Sequence, residues 1–244
     1  NYVSSINKIS VECNDSPGFV SNRILMPMIK ICGIRTAQDA LVCADSGADF
    51  IGLVFVPNRR RCLKVESAAQ IVQELKGSFE NPPEIVGLFA DQTLDEVNLF
   101  VRNCELNWAQ LCGHESVEYC GNIQTNVFKV IHVSAEPSSN EDSDRLSERI
   151  SNYHQSGHMI TLDRQEGTLL GGTGLSFDWQ VASKLSHIGY KFLLAGGLTP
   201  SNVGEAIKIV DPWGVDVSSG VETDGIKDPE KIRAFIRKAR SLSS

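Results

Sequence analysis

Two side chains of this sequence stand where a proton could be moved: Cys32 and Asp163. Cys32 closes the apolar run Ile29-Lys30-Ile31 and precedes Gly33. Most cysteines in such a run are small core residues. At the C-terminal end of a strand, just before a helix, the helix dipole stabilises a thiolate. An unshifted thiol is only a few per cent ionised at about pH 7. A modest downward shift would make Cys32 a workable general base. Asp163 closes Ile160-Thr161-Leu162-Asp163. An N-cap or an ion pair with Arg164 would explain it structurally. As a general acid it starts from a deficit of about 4 kcal/mol, because a free Asp (pKa ~3.9) is protonated about once per thousand near neutrality. An apolar setting, or a cycle that returns the proton, must make up the difference.

Two segments near the C-terminus read as an anion cradle. Leu194-Ala195-Gly196-Gly197-Leu198-Thr199-Pro200 and Val215-Asp216-Val217-Ser218-Ser219-Gly220 each pass from an apolar run into small residues. Gly196 and Gly197 allow close backbone approach to an anion, and Thr199-Pro200-Ser201 reads as a helix start with free N–H groups. Ser218, Ser219 and Gly220 repeat the device. Gly171-Gly172-Thr173-Gly174 is either a third wall, through Gly172 and Gly174, or a hinge. Asp216 points inward and would meet a substrate hydroxyl or a neighbouring N–H. Within Arg59-Arg60-Arg61, two arginines read as solvated surface, and one, aimed inward, would grip a carboxylate by its two-pronged fork. His114, His154, His158 and His187 read as surface or loop residues, and His132 is left uncommitted.

Something must bring these ends together. Strand-like runs occur at Met28–Ile31, Phe50–Phe55, Glu84–Phe89, Asn107–Leu111, Val127–Ile131, Met159–Asp163, Lys191–Ala195 and Gly214–Val217. Between them lie stretches with apolar residues at helical spacing, such as Ala68, Ile71, Val72 and Leu75, or Ile232, Phe235, Ile236 and Ala239. Alternation of this kind implies parallel pairing. Eight units predict a single-domain (β/α)8 TIM barrel, whose strand C-termini share one face. An open doubly wound sheet is the other reading, but it would normally carry a dinucleotide fingerprint after its first strand, and Cys32-Gly33-Ile34-Arg35 is not one. The barrel domain is expected over residues 27–244, with residues 1–26 as a polar linker or strap. The Gly-rich stretch Gln165–Ser176 is a candidate lid, and Ser134–Asn140 a plain surface loop.

Composition narrows the function classes. A net charge of -7 over 244 residues argues against nucleic acid as partner. It leaves room for a small anion bound in a local cradle. No apolar run approaches the ~18–20 residues needed to span a bilayer. Seven scattered cysteines without a CxxC pair fit reduced thiols and a cytoplasmic location. Cys104, Cys112, His114 and Cys120 lack zinc-ligand spacing, so no metal site is expected.

Together, Lys30-Ile31-Cys32-Gly33, Val86-Gly87-Leu88-Phe89, Leu162-Asp163, Phe177-Asp178-Trp179, Ala195-Gly196-Gly197-Leu198 and Val215 through Glu222 resemble the phosphoribosylanthranilate isomerase family of tryptophan biosynthesis. The resemblance runs from about Ile29 to Phe235. It implies a cofactor-free Amadori rearrangement of a phosphorylated small molecule, N-(5-phosphoribosyl)anthranilate, to 1-(2-carboxyphenylamino)-1-deoxyribulose 5-phosphate. It implies Asp163 as the acid on the ribose ring oxygen, Cys32 as the base at C2, Arg61 on the anthranilate carboxylate, and the phosphate on the glycine turns. The family usually has Gln-Leu-His-Gly after the fourth strand, where this chain has Gln110-Leu111-Cys112-Gly113. Fungal members are often the last part of a multifunctional chain of tryptophan-pathway domains, and the lead segment would suit a linker there. Two alternatives remain: an indole-glycerol-phosphate synthase type lyase, which would need a lysine at a strand end, and a non-catalytic phosphate-binding barrel.

Overall fold

A computed structural model describes residues 26–133, 140–164 and 179–241, with the side chains of 140–144 and 164 left aside. Eight parallel strands close into a barrel in sequence order: β1 (Met28–Cys32), β2 (Phe50–Val54), β3 (Glu84–Phe89), β4 (Trp108–Leu111), β5 (Asn126–Val133), β6 (Met159–Arg164), β7 (Phe192–Leu194) and β8 (Gly214–Val217). The ring closes where Met28, Ile29, Lys30 and Ile31 pair with Gly214, Val215, Asp216 and Val217. Eight helices alternate with the strands: α1 (Ala37–Asp45), α2 (Val65–Ser78), α3 (Leu94–Asn103), α4 (Val117–Gly121), α5 (Asn140–Gln155), α6 (Trp179–His187), α7 (Val203–Val210) and α8 (Pro229–Arg240). The expected barrel is the observed one. The predicted linker over 1–26 falls, apart from Met26, outside the described residues, as do the whole lid segment and 134–139.

Local chemistry sets the boundaries. Thr36 caps α1 by accepting from the Asp39 N–H, and Thr93 with Glu96 forms a reciprocal capping box at α3. Asp228 caps α8 ahead of Pro229, whose fixed φ suits the first helical turn. The helices bury their apolar stripes on the outside of the barrel in one continuous core.

A second core fills the barrel itself. Its floor is aromatic: Trp108 stacks on Phe128 at 4.2 Å between ring centroids, and Phe50 meets both edge-on, at 6.0 and 5.7 Å. Trp213 closes the ring against Phe50 and Phe128. The Trp108 indole N–H donates to Glu84 Oε2 at the edge of this floor.

Two elements beyond the eight units cap the opposite end. A 3₁₀ turn, Ser219–Val221, follows β8, and a small antiparallel hairpin pairs β9 (Glu222–Thr223) with β10 (Ile226–Lys227). Its tip is Asp224-Gly225, both at positive φ (51° and 77°), the sequence signature of a tight hairpin turn.

Candidate active site

The strand C-termini surround one cavity of about 690 Å³. Cys32, Asp163, Gly196, Gly197, Asp216, Ser218, Ser219 and Gly220 all line it, as do Arg61, Gln110, Cys112 and His132. A volume in this range suits a ligand of drug size. The structure thus brings together every described site residue expected from the sequence. Gly172 and Gly174 lie outside the described residues.

Each member is there for a local reason. Alternation along β1 turns Met28, Lys30 and Cys32 inward. β6 carries Asp163 to the rim, and the β5–β6 register sets His132 beside it. Asp163 is half-buried. In the β7 turn, Gly196 and Gly197 adopt φ of 90° and 70°, a region that only glycine enters without strain. Asn202, which no sequence motif singled out, holds this turn from both sides: its carboxamide accepts from the Thr199 N–H at 2.8 Å and donates to Gly197 O at 3.0 Å. Helix α7 accordingly begins at Val203, later than the expected Ser201. A methyl group on Gly220 would lie 1.8 Å from Leu198 O, so the two turns are in direct backbone contact. That contact fuses them into one cradle.

The cationic side of the mouth is organised by a residue whose role was not read from the sequence. Glu222 takes both prongs of the Arg61 fork, Nε at 2.7 Å and Nη2 at 2.9 Å. It also accepts from Arg60 Nη2 at 2.7 Å and from the nearly buried Lys227 Nζ at 3.0 Å. Burial opposes its charge, but these three cations win and hold the carboxyl down at about 2. Three positive charges against one negative leave this cluster net cationic, although the chain is anionic overall. Arg60 is not the plain solvated residue expected, since it also donates to Gly225 O at 2.5 Å. Arg61 borders the cavity, but its fork is engaged by Glu222.

The helix dipole that could favour a Cys32 thiolate does not govern it. Burial pushes its thiol above the ordinary value, not below. Helix α1 starts only at Ala37, and the intervening Gly33 and Ile34 N–H groups both donate to Gly52 O. The dipole is therefore too far away, because its effect falls off within a turn. Lys30 and Lys227 pull the thiol down and Asp216 pushes it up, but desolvation of a residue only 6% exposed is the largest influence. Asp216 is likewise resolved: its Oδ2 accepts from the fully buried Lys30 ammonium at 2.7 Å. Cys112 is also pushed up, to about 12, by burial. His132 Nε2 lies 3.4 Å from Cys112 O. Of the four histidines read as surface, His114, His154 and His187 are exposed. His158 is half-buried, and burial lowers its pKa.

The family model for N-(5'-phosphoribosyl)anthranilate isomerase matches residues 29–238. This chain belongs to that family. A relative of that name from Dehalococcoides mccartyi is 42% identical over 212 residues, covering 86% of this chain and 94% of the relative. One from Geotalea uraniireducens is 42% identical over 220 residues, covering 89% and 100%. The crystal structure of the Thermotoga maritima isomerase superposes with a TM-score of 0.76 at 36% identity, covering 89% of this chain and all of that one. A further isomerase structure, in complex with reduced 1-(o-carboxyphenylamino)-1-deoxyribulose 5-phosphate, matches with a TM-score of 0.73 at 35% identity, again covering 89% of this chain and all of that one.

Proposed function

We propose that this family member isomerises N-(5-phosphoribosyl)anthranilate in tryptophan biosynthesis, with Asp163 as acid and Cys32 as base. The observation that carries the assignment is that both groups line the same cavity as the two glycine turns. The substrate phosphate sits on the N–H groups of the cradle around Gly196, Gly197, Ser218, Ser219 and Gly220, beside the cationic cluster. Asp163 protonates the ribose ring oxygen, and the ring opens to a protonated Schiff base. Cys32, as thiolate, takes the C2 proton. The C–H electron pair flows toward the iminium nitrogen, and the resulting enolamine relaxes to the ketone.

The raised thiol pKa is compatible with this order of events. A cation developing close to a sulfur in a water-poor site favours the thiolate, so the base is strengthened when its substrate opens. On this reading the anthranilate carboxylate competes with Glu222 for the Arg61 fork. The free state of the described cysteines accords with a cytoplasmic setting. Among the described residues no helix is long and apolar enough to cross a membrane.

The test is fluorimetric. Freshly prepared phosphoribosylanthranilate is mixed with the purified chain, and loss of substrate fluorescence is followed. Consumption well above the spontaneous rate, abolished in both Cys32→Ala and Asp163→Asn, is expected. A rate equal to the uncatalysed one would reject the assignment and favour a non-catalytic barrel.

A further inference from the structure

Lys30 is fully buried, and it lies inside the barrel one layer below Cys32. A lysine there is costly unless its charge is used or matched. The barrel closure matches it in part. Lys30 on β1 is in register with Asp216 on β8, and the ammonium donates to Oδ2 at 2.7 Å. The match is incomplete, because Asp216 Oδ1 is buried without a partner. Gln110 Oε1 and Thr161 Oγ1, which alternate inward below Cys112 and Asp163, are buried without one as well. Such unfilled polar capacity is uncommon in a purely structural layer.

The sulfur itself is confined. A methyl group on Gly52 would lie 3.0 Å from Cys32 Sγ, so β2 walls it on one side. The hydroxyl of Ser218 donates to Cys32 O at 3.1 Å and ties β8 to β1 beside it.

Several charged or titratable groups face Cys32: Lys30, Asp216, Lys227, Arg61 and Cys112, with His132 and Asp163 elsewhere on the cavity wall. The cations differ in commitment. Arg61 gives its fork to Glu222. Lys227 donates to Ser218 O at 2.7 Å and to Glu222. Lys30 is held by one carboxylate oxygen and stands two residues before Cys32 on the same inward face of β1.

We propose that Lys30 is a positioning residue for Cys32: its ammonium, moored by Asp216, is the fixed counter-charge that stabilises the thiolate. Lys30 stays protonated throughout and exchanges no proton with the substrate. Asp216 restrains the effect, since its negative charge opposes the thiolate while it holds the ammonium in place. The pKa directions agree: the Lys30 ammonium lowers the Cys32 thiol and Asp216 raises it. The proposal builds on Cys32 as the base, but its test does not depend on turnover.

The decisive measurement is the pH dependence of alkylation at residue 32, read by mass spectrometry of the peptide that contains it after brief iodoacetamide treatment of the folded chain. In Lys30→Met the midpoint should rise by about one pH unit or more, a tenfold loss of thiolate at a given pH. In Asp216→Asn it should fall. With substrate, Lys30→Met should lower kcat far more than it changes KM, with the pH–rate profile displaced in the same sense. An unmoved midpoint in Lys30→Met, or midpoints displaced in the same direction in both variants, overturns the proposal, because a merely structural pair has no reason to shift the thiol in opposite senses. Should Lys30→Met not fold, Asp216→Asn decides alone: a fall supports the counter-charge, and no change or a rise refutes it. Failure of wild-type turnover would refute the isomerase assignment and leave the alkylation result standing.

Discussion

Two buried lysines, each paired with a carboxylate, occupy neighbouring parts of this barrel and are finished differently. Lys129 points outward from β5 toward the loop after β4. Its ammonium donates to Glu115 Oε2 at 2.6 Å, to Gly113 O at 2.7 Å and to Leu111 O at 3.2 Å. Glu115 spends its other oxygen on the N–H groups of Asp91 and Gly113. Every donor of that ammonium is matched, and the pair fastens one loop to the barrel. Lys30 points inward, has a single carboxylate partner, and leaves one oxygen of that partner unmatched. The saturated pair is a fastening, whereas the unsaturated one lies under the cavity at the strand C-termini. The same two residue types therefore serve structure or chemistry according to how many local acceptors surround them.

That contrast yields graded tests. The largest effect is expected at Cys32, above the inward pair: Cys32→Ala should lower kcat by about 10²–10⁴-fold, the range for losing a general base. Its thermal midpoint should stay close to that of the wild type. Next comes the outward pair. Lys129→Met should cost about 3–5 kcal/mol in denaturant unfolding, because it strands a buried carboxylate. Removing both partners, as Lys129→Met with Glu115→Leu, should not restore that loss, since the Asp91 and Gly113 N–H groups and two carbonyls then lack partners. The inward pair should behave oppositely. Lys30→Met with Asp216→Leu should unfold within about 1–2 kcal/mol of the wild type, since apolar replacement of a buried pair is often neutral, yet turn over slowly. Equal recovery of stability in the two double variants would erase the distinction. A smaller effect is expected from Glu222. Its folded pKa is depressed from 4.5 to about 2, so its contribution is fully present above about 4.5 and is lost as the pH falls toward 2. Acid titration of wild type against Glu222→Gln should show the variant's stability declining less over that window. The smallest belongs to the exposed Asp91–His114 pair, where His114→Ala should change stability by about 1 kcal/mol or less.

Much of the site was legible because a closed parallel barrel puts every strand C-terminus on one face. Once the eight runs were recognised, Cys32, Asp163, Gly196 and Ser218 had to be neighbours. Boundaries shifted modestly, with the largest consequence at β5, which runs on to Val133 and so makes His132 a strand residue in register with Asp163. The hairpin carrying Glu222 and Lys227 went unread although Asp224-Gly225 marks its turn. Its strands are two residues each, too short for an alternating pattern to stand out. Asn202 was unreadable for a different reason: its side chain serves the preceding turn instead of capping its own helix.

The order of strands and helices, the inward face of β1 and the glycines of the cradle follow from local periodicity and backbone freedom, which are properties of short stretches of chain. Tertiary structure decided which charges meet. Lys30 and Asp216 are 186 residues apart, and Arg61 and Glu222 161 apart. Those pairs exist only because β8 closes on β1 and the hairpin after β8 folds over the mouth. The same closure excludes water from around Cys32, and desolvation, which no spacing of residues encodes, set the direction of its shift.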